Sequence, residues 1–409
     1  VRQSFVTTSE IQPSHGKRSK ASVSLSVATV LLATSGLVSA AYVETGTLGD
    51  KASWETAEYN YNWGLGAMNA SSAYALGFYG QNTTTGVMDS GAWLGNPDLD
   101  TPRITATHVT GVYGSSGNRY PQSIYATIQK GVVPTAAEGQ PFTEGEEFDV
   151  KGDYTLGLND AHGTQVTGVI GAERNGEYGH GVAFKANVVV GNTGATDNNN
   201  YGPFQDYNYY FKGYKALADA VNAGNGEYRG GMVNNSYGTN TKIYSSGGHR
   251  LTPDEMSELL AGSGNYDRAS AAYAVTFSGD YSFLGLNDVP GADQYSTNPS
   301  AFEWEYMYFK LKYGDKPSFL DGAYDAVKGT NVILSWAAGN QDRGTPYLKG
   351  LYPYFHPEAE KNWLNAVGVM QTRGDNDQYM QATYCKAGLA KWWSMSGPTA
   401  YPGIGTTYV

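Results

Sequence analysis

Three residues in this chain sit among neighbours that suit them to chemistry, in the order Asp89, His162, Asn340. His162 opens the run His162-Gly163-Thr164-Gln165-Val166-Thr167-Gly168-Val169-Ile170-Gly171, where Val166, Val169 and Ile170 follow the spacing of a helix's buried stripe. Asn159 or Asp160 can cap that helix, which puts His162 in its first turn with the ring directed outward. A histidine fixed there, with glycine after it so that nothing crowds the ring, suits a general base. Asp89 ends the short β-prone run 83–88, just before Ser90-Gly91. An acid at the carboxyl end of a strand lies at the rim where open α/β sheets bind ligands. Asn340 follows Ala337-Ala338-Gly339, directly after the apolar run 331–336.

Taken singly, His162 also reads as a surface histidine and Asp89 as a turn-forming aspartate. Together the three are the parts of acyl transfer through a serine. His162 would take the nucleophile's proton and hand it to the leaving amine, while Asp89 holds the imidazole's tautomer and stabilises the imidazolium. The Asn340 amide would donate to the oxyanion. The small residues Ala337, Ala338 and Gly339 would leave space beside it for a substrate side chain.

The surrounding chain reads as alternating strands and helices. A helix is expected over 63–76, stopped by Gly77, and a buried strand over 182–190. A helix over 209–223 stops at Gly224, and a short strand covers 231–238 with Asn234-Asn235-Ser236-Tyr237-Gly238 at its exit. A further helix over 317–327 leads into the strand 331–336. This alternation argues a parallel sheet with helices on both faces. Residues 100–150 lack periodicity, and Glu138, Glu144, Glu146, Glu147 and Asp149 there read as an acidic, solvated loop. Residues 240–316, rich in Gly, Ser, Tyr and Asp, read as a long surface insertion.

Composition narrows the classes further. Charged residues make up only 16% of the 409, against 53 glycines and 33 tyrosines, which fits a loop-rich exported globular protein. A net charge of -11 argues against nucleic acid as a partner. The lone Cys385 excludes an internal disulfide framework and a cysteine-rich zinc site. Residues 1–40 carry Lys17, Arg18 and Lys20, then a mildly apolar run over 21–37, then Val38-Ser39-Ala40. That pattern reads as a signal peptide cleaved after Ala40, followed by a polar lead-in over 41–59. Serines and threonines interrupt the apolar run, which makes it a poor spanning helix.

The motifs resemble those of subtilisin-like serine proteases, the subtilases, over residues 60–409. Val87-Met88-Asp89-Ser90-Gly91, with Asn96-Pro97-Asp98-Leu99 after it, is similar to the family's aspartate motif. His162-Gly163-Thr164-Gln165-Val166-Thr167-Gly168 resembles the histidine motif, with Gln165 and Thr167 where His and Ala are usual. Asn234-Asn235-Ser236-Tyr237-Gly238 resembles the edge strand that pairs with bound peptide, and Ala337-Ala338-Gly339-Asn340 the oxyanion segment. The stretch 63–89, and Glu358-Lys361-Asn362-Trp363 leading into 366–369, further resemble subtilases carried by bacterial autotransporters.

The resemblance implies an α/β subtilisin-like fold and a secreted or cell-surface endopeptidase acting on polypeptides. Asp89 and His162 are its implied catalytic pair and Asn340 its oxyanion donor. Ser236, Tyr237 and Gly238 would bind substrate backbone, and Tyr237 would flank a pocket floored by Ala337, Ala338 and Gly339. A C-terminal β-barrel translocator is an implied partner. No cofactor or metal is assigned; calcium, common in the family's surface loops, finds no ligand run to place it.

Two departures stand out. Ser394 occupies the position where the autotransporter branch carries the partner of Cys385, so that disulfide cannot form. No Gly-Thr-Ser-Met-Ala-type serine motif occurs, and Gly405-Thr406-Thr407 follows Ser396-Gly397-Pro398 too closely to be one. The catalytic domain is therefore expected to be C-terminally truncated, with its serine beyond Val409 and the chain as it stands inactive. The rival readings are a non-catalytic subtilase-like adhesin or peptide-binding module, which has no use for Asp89, His162 and Asn340 together, and a metal-dependent hydrolase, which lacks a ligand set.

Overall fold

Short runs of β-branched and apolar residues form the centre of the molecule: β1 (Thr84–Asp89), β7 (Asn187–Asn192), β8 (Gly230–Asn235), β9 (Asn331–Ala337) and β10 (Trp363–Gln371). The computed structural model describes residues 46–118, 141–153, 161–193, 206–226, 230–237, 316–339, 345–371, 379–381 and 384–399, all within the unit 42–409. With β2 (Ile104–Ala106) and β12 (Ser394–Pro398), the five strands make a parallel sheet in the order β2-β7-β1-β8-β9-β10-β12. β11 (Tyr379–Gln381) adds antiparallel to the end of β10.

β1 pairs with β7 from Thr84↔Asn187 to Asp89↔Asn192, and with β8 at Gly86↔Val233 and Val87↔Asn234. From β1 the chain moves outward to β2 and back to β7, then crosses to β8 and continues the other way. The order thus reverses at β1, and the carboxyl ends of β1 and β8 are the place such sheets reserve for a ligand.

The three short helices α1 (Ala57–Tyr61), α2 (Trp63–Ala67) and α3 (Ala70–Ala75) precede the sheet. A single helix over 63–76 does not form, because Asn69 adopts φ 54° and breaks it into α2 and α3. α4 (His162–Gly171) covers one face of the sheet; α5 (Tyr207–Gly224), α6 (Phe319–Val327) and α7 (Leu348–Phe355) cover the other. Met88, Leu217, Val221, Val233, Phe319, Trp336 and Trp363 belong to the core on that second face. α6 starts at a capping box in which Ser318 and Asp321 each take the other's backbone N–H.

Residues 182–186 form a turn, so the strand expected from 182 begins only at Asn187. Much of 100–150 is ordered after all: β3 (His108–Val112) pairs with β6 (Glu147–Lys151), and β4 (Gly117–Asn118) with β5 (Pro141–Phe142). Asp149 lies on β6 rather than in a loop and faces His108 at 2.8 Å. Glu138 and residues 240–315 of the expected insertion lie outside the described residues.

The lead-in is not merely polar chain. Trp54, Tyr59, Leu65 and Tyr74 pack with Phe184 in a cluster of their own. The Glu58 carboxylate accepts from Asn175 and Gly176 N–H, each at 3.0 Å. The Arg174 guanidinium lies over the rings of Trp54 (5.1 Å) and Phe184 (5.6 Å). His180 is buried against Tyr59, Tyr74 and Phe184, with Nδ1 donating to the Gly181 carbonyl at 2.8 Å.

Burial first, and the nearby Arg174 charge second, overcome the Gly181 bond and push His180 down to about 4. A histidine released from this site titrates near its ordinary value of about 6.5. Above that pH no proton is given up on burial, and the folded state loses stability as pH falls from there toward 4, by about 2 kcal/mol at pH 5. Melting scans across pH 7 to 4.5 should show a steeper loss for the wild type than for His180→Gln; parallel curves would sink this assignment.

Candidate active site

β1 delivers Asp89 at its carboxyl end, where the side chain is fully buried. One carboxylate oxygen, Oδ1, accepts from Ser90 N–H at 2.8 Å and faces His162 Nδ1 at 2.8 Å. An ionised carboxylate only accepts, so against it Nδ1 would donate and Nε2 would be left as the basic nitrogen. The His162 side chain is 31% exposed, so the pair is open on the histidine's side and closed on the aspartate's.

Ser90 and Thr164 set the position of α4. Ser90 Oγ accepts the Gly163 N–H at 2.8 Å, and Trp93 N–H donates to Thr164 Oγ1 at 2.9 Å. The helix's own cap residue is Ala161, which offers no side-chain acceptor; Asn159 and Asp160, the expected caps, lie outside the described residues. One of the unpaired N–H groups of the first turn is thus satisfied from β1's exit instead. The same exit is held from below, by Asn192 Nδ2 on the Ser90 carbonyl (3.3 Å) and Thr193 N–H on the Asp89 carbonyl (2.9 Å).

The buried face of α4 differs from the expected stripe. Gly163, Thr164, Thr167, Gly168 and Gly171 are buried, Val166 and Ile170 are half-buried, and Val169 is exposed. The reason is proximity: a Cβ at Gly163 would lie 2.2 Å from the Gly91 carbonyl oxygen, and one at Gly171 2.7 Å from Val188. Small residues let the helix approach the sheet more closely than valines would, and that approach brings His162 to Asp89.

Continuing the β1–β8 register two residues past Val87↔Asn234 sets Ser236 level with Asp89. Ser236 Oγ accepts from Asn234 Nδ2 at 2.8 Å. Tyr237 does not flank an open pocket: its side chain turns into the core, 2% exposed, with its hydroxyl 2.7 Å from that of Tyr214. Only its backbone remains at the strand exit. Ala337 pairs with Ala366 of β10, Ala338 is buried, and Gly339 takes φ 120°. Gly238 and Asn340 lie outside the described residues.

Cys385 is buried and unbridged. Ser394, where a second cysteine would stand, donates to the Ala390 carbonyl at 2.7 Å and accepts from Asn365 Nδ2 at 2.8 Å. Among the described residues no three His, Cys, Asp or Glu side chains are grouped to hold a metal ion, and no helix is long and apolar enough to cross a membrane.

Two extracellular serine proteases of Serratia marcescens are 31% and 32% identical to this chain over 163 residues, 40% of this chain and 12% of each relative. Serotype-specific antigen 1 of Mannheimia haemolytica is 34% identical over 72 residues, 18% of this chain and 7% of that protein. The matched stretches thus span only a small part of the length of these relatives. Among solved structures, the nisin leader peptidase of Lactococcus lactis aligns over 83% of this chain and 68% of its own, at 14% identity and a TM-score of 0.36. The subtilisin-like protease Apa1 of an Antarctic Pseudoalteromonas aligns over 78% and 41%, at 15% identity and a TM-score of 0.27. The model of the subtilase family matches residues 80–406, from just before the strand that bears Asp89 to beyond β12, and on that span the chain belongs to the subtilase family and its α/β fold.

Proposed function

We propose that this protein is a secreted serine endopeptidase in which His162 is the general base and Asp89 its orienting, charge-stabilising partner. The observation that carries the reading is the 2.8 Å contact between His162 Nδ1 and the fully buried Asp89 carboxylate. A serine hydroxyl attacking a peptide carbonyl would lose its proton to Nε2. The imidazolium so formed, stabilised by Asp89, would protonate the departing amine. Asn340 would donate to the oxyanion, and the exit at Ser236, Tyr237 and Gly238 would hold the substrate backbone as an added strand. The serine is proposed to lie downstream of Val409, since no serine motif of the family occurs within the sequence.

Export is supported by the pattern of residues 1–40 and by the extracellular relatives. Polypeptides are the proposed substrates, and a C-terminal β-barrel translocator the proposed partner. The test is to express the gene with its downstream sequence, react the secreted protein with a fluorophosphonate, and map the adduct by mass spectrometry. One labelled serine beyond Val409 is expected. A protein that hydrolyses casein without forming any serine adduct would refute the mechanism.

A further inference from the structure

Two stretches far apart in the chain, 46–79 and 172–186, close on one histidine. The His180 ring stands among Tyr59 of α1 (6.2 Å between centroids), Tyr74 of α3 (5.9 Å) and Phe184 (4.9 Å). Tyr74 and Tyr79 pack in turn on Phe184, and the Tyr74 hydroxyl donates to the Val182 carbonyl at 2.8 Å. The stretches are also joined by the Glu58 bonds to Asn175 and Gly176 and by Lys185 N–H on the Tyr79 carbonyl at 3.1 Å. Neither of the apolar clusters on the two faces of the sheet contains a residue from 46–79. The joint is thus a small core of its own, with a titratable group inside it.

His180 donates through Nδ1 to the Gly181 carbonyl, while its Nε2 is buried and has no hydrogen-bond partner among the described residues. A neutral imidazole tolerates this, because an unbonded acceptor costs far less to bury than an unbonded charge. A second proton would sit on Nε2 and turn the ring into such a charge.

The groups that face the ring offer that charge no compensation. From α1, the Tyr59 hydroxyl donates to the Leu65 carbonyl and accepts from Ser71 N–H. From α3, the Tyr74 hydroxyl is held by Val182. From the ring's own stretch comes the Arg174 guanidinium, buried in the same cluster and of like charge. Of the carboxylates on these elements, Glu58 accepts from two backbone N–H groups, Glu173 pairs with Arg103 and Lys185, and Glu177 is exposed.

We propose that His180 makes the joint between residues 46–79 and 172–186 acid-labile, so that in acid the N-terminal stretch lifts away while the sheet stays folded. Once released, the ring returns from about 4 to its ordinary value of 6.5, so falling pH favours the open form between those values. The ratio of open to closed chain should rise about twentyfold from pH 7 to pH 5.

Hydrogen exchange on the whole chain, read by mass spectrometry at both pH values and corrected for intrinsic rates, separates local from global opening. Protection of α1, α2 and α3 should fall about twentyfold at pH 5, while β7 and β9 keep theirs. His180→Phe retains a ring that takes no proton, and its protection at 46–79 should be the same at both pH values. If that variant does not fold, His180→Gln is read in its place. Equal protection of 46–79 at the two pH values in the wild type overturns the proposal. So does an equal loss in β7 and β9, or a loss that persists without the histidine.

Discussion

Replacing His162 by alanine in the protein expressed with the downstream serine proposed above is expected to abolish peptide hydrolysis. The fall in turnover should approach a millionfold, the size of the corresponding loss in subtilisin, from which this magnitude is taken. With the ring gone, the serine's proton would lose its proposed acceptor, and the Asp89 charge would have no imidazolium to stabilise. The substitution also has a structural consequence. Asp89 is fully buried, and Ser90 N–H would be left as the donor on Oδ1, so an under-compensated carboxylate remains inside the protein. A lower melting temperature should therefore accompany the loss of activity. His162→Gln, whose amide can still donate toward Oδ1, separates the effects: stability should recover while turnover stays lost. Retention of more than a hundredth of wild-type turnover in His162→Ala, measured on casein above pH 7, would remove this residue from the mechanism.

The sequence made the frame legible because each central strand is an apolar run ending in a polar or small residue. Val87-Met88 before Asp89, Met232-Val233 before Asn234, and Val332-Ile333-Leu334 before Ser335 all mark a strand running toward its exit. The spacing of Val166, Val169 and Ile170 located α4 but misjudged its buried face. Hydropathy weights the largest apolar residues, whereas the packing here is governed by how near two backbones can come. That closeness shows only as glycine and threonine at positions 163, 164, 167, 168 and 171.

Tyr237 failed for a related reason. Its place one residue after Ser236 says that the backbone leaves the sheet there, not which face the ring takes. The partner that decides this, Tyr214, sits 23 residues earlier on α5. The packing of residues 46–79 on 172–186 likewise depends on pairs such as Glu58 with Asn175 and Gly176, too far apart in the chain for any local pattern to reveal. Asp89 and His162 stand where a strand end and a helix start would put them, whereas Ser90 shows in the sequence only as part of the turn after Asp89, because its bond to Gly163 spans 73 residues.

Gly163→Ala is expected to damage folding and chemistry together. The new methyl would lie 2.2 Å from the Gly91 carbonyl oxygen and 3.0 Å from both Gly91 N and Ser90 Oγ. Two of these neighbours are backbone, and the third is fixed by the Gly163 N–H it accepts, so no flexible side chain can yield. The start of α4 must retreat from β1, stretching the Gly163–Ser90 bond and drawing His162 away from Asp89. Overpacking of this kind costs about 1–3 kcal/mol. A displacement of about 1 Å at a reacting group costs about a hundredfold in rate. The melting temperature should fall, and turnover should drop by at least that factor even in the fraction that remains folded. Gly66→Ala is the control, since nothing lies within 4 Å of a Cβ there and the position is inside helix α2. It should be neutral or slightly stabilising, because alanine restricts the unfolded chain more than glycine does. If both variants behave alike in melting and in turnover, the close approach of α4 to β1 is not what brings His162 to Asp89.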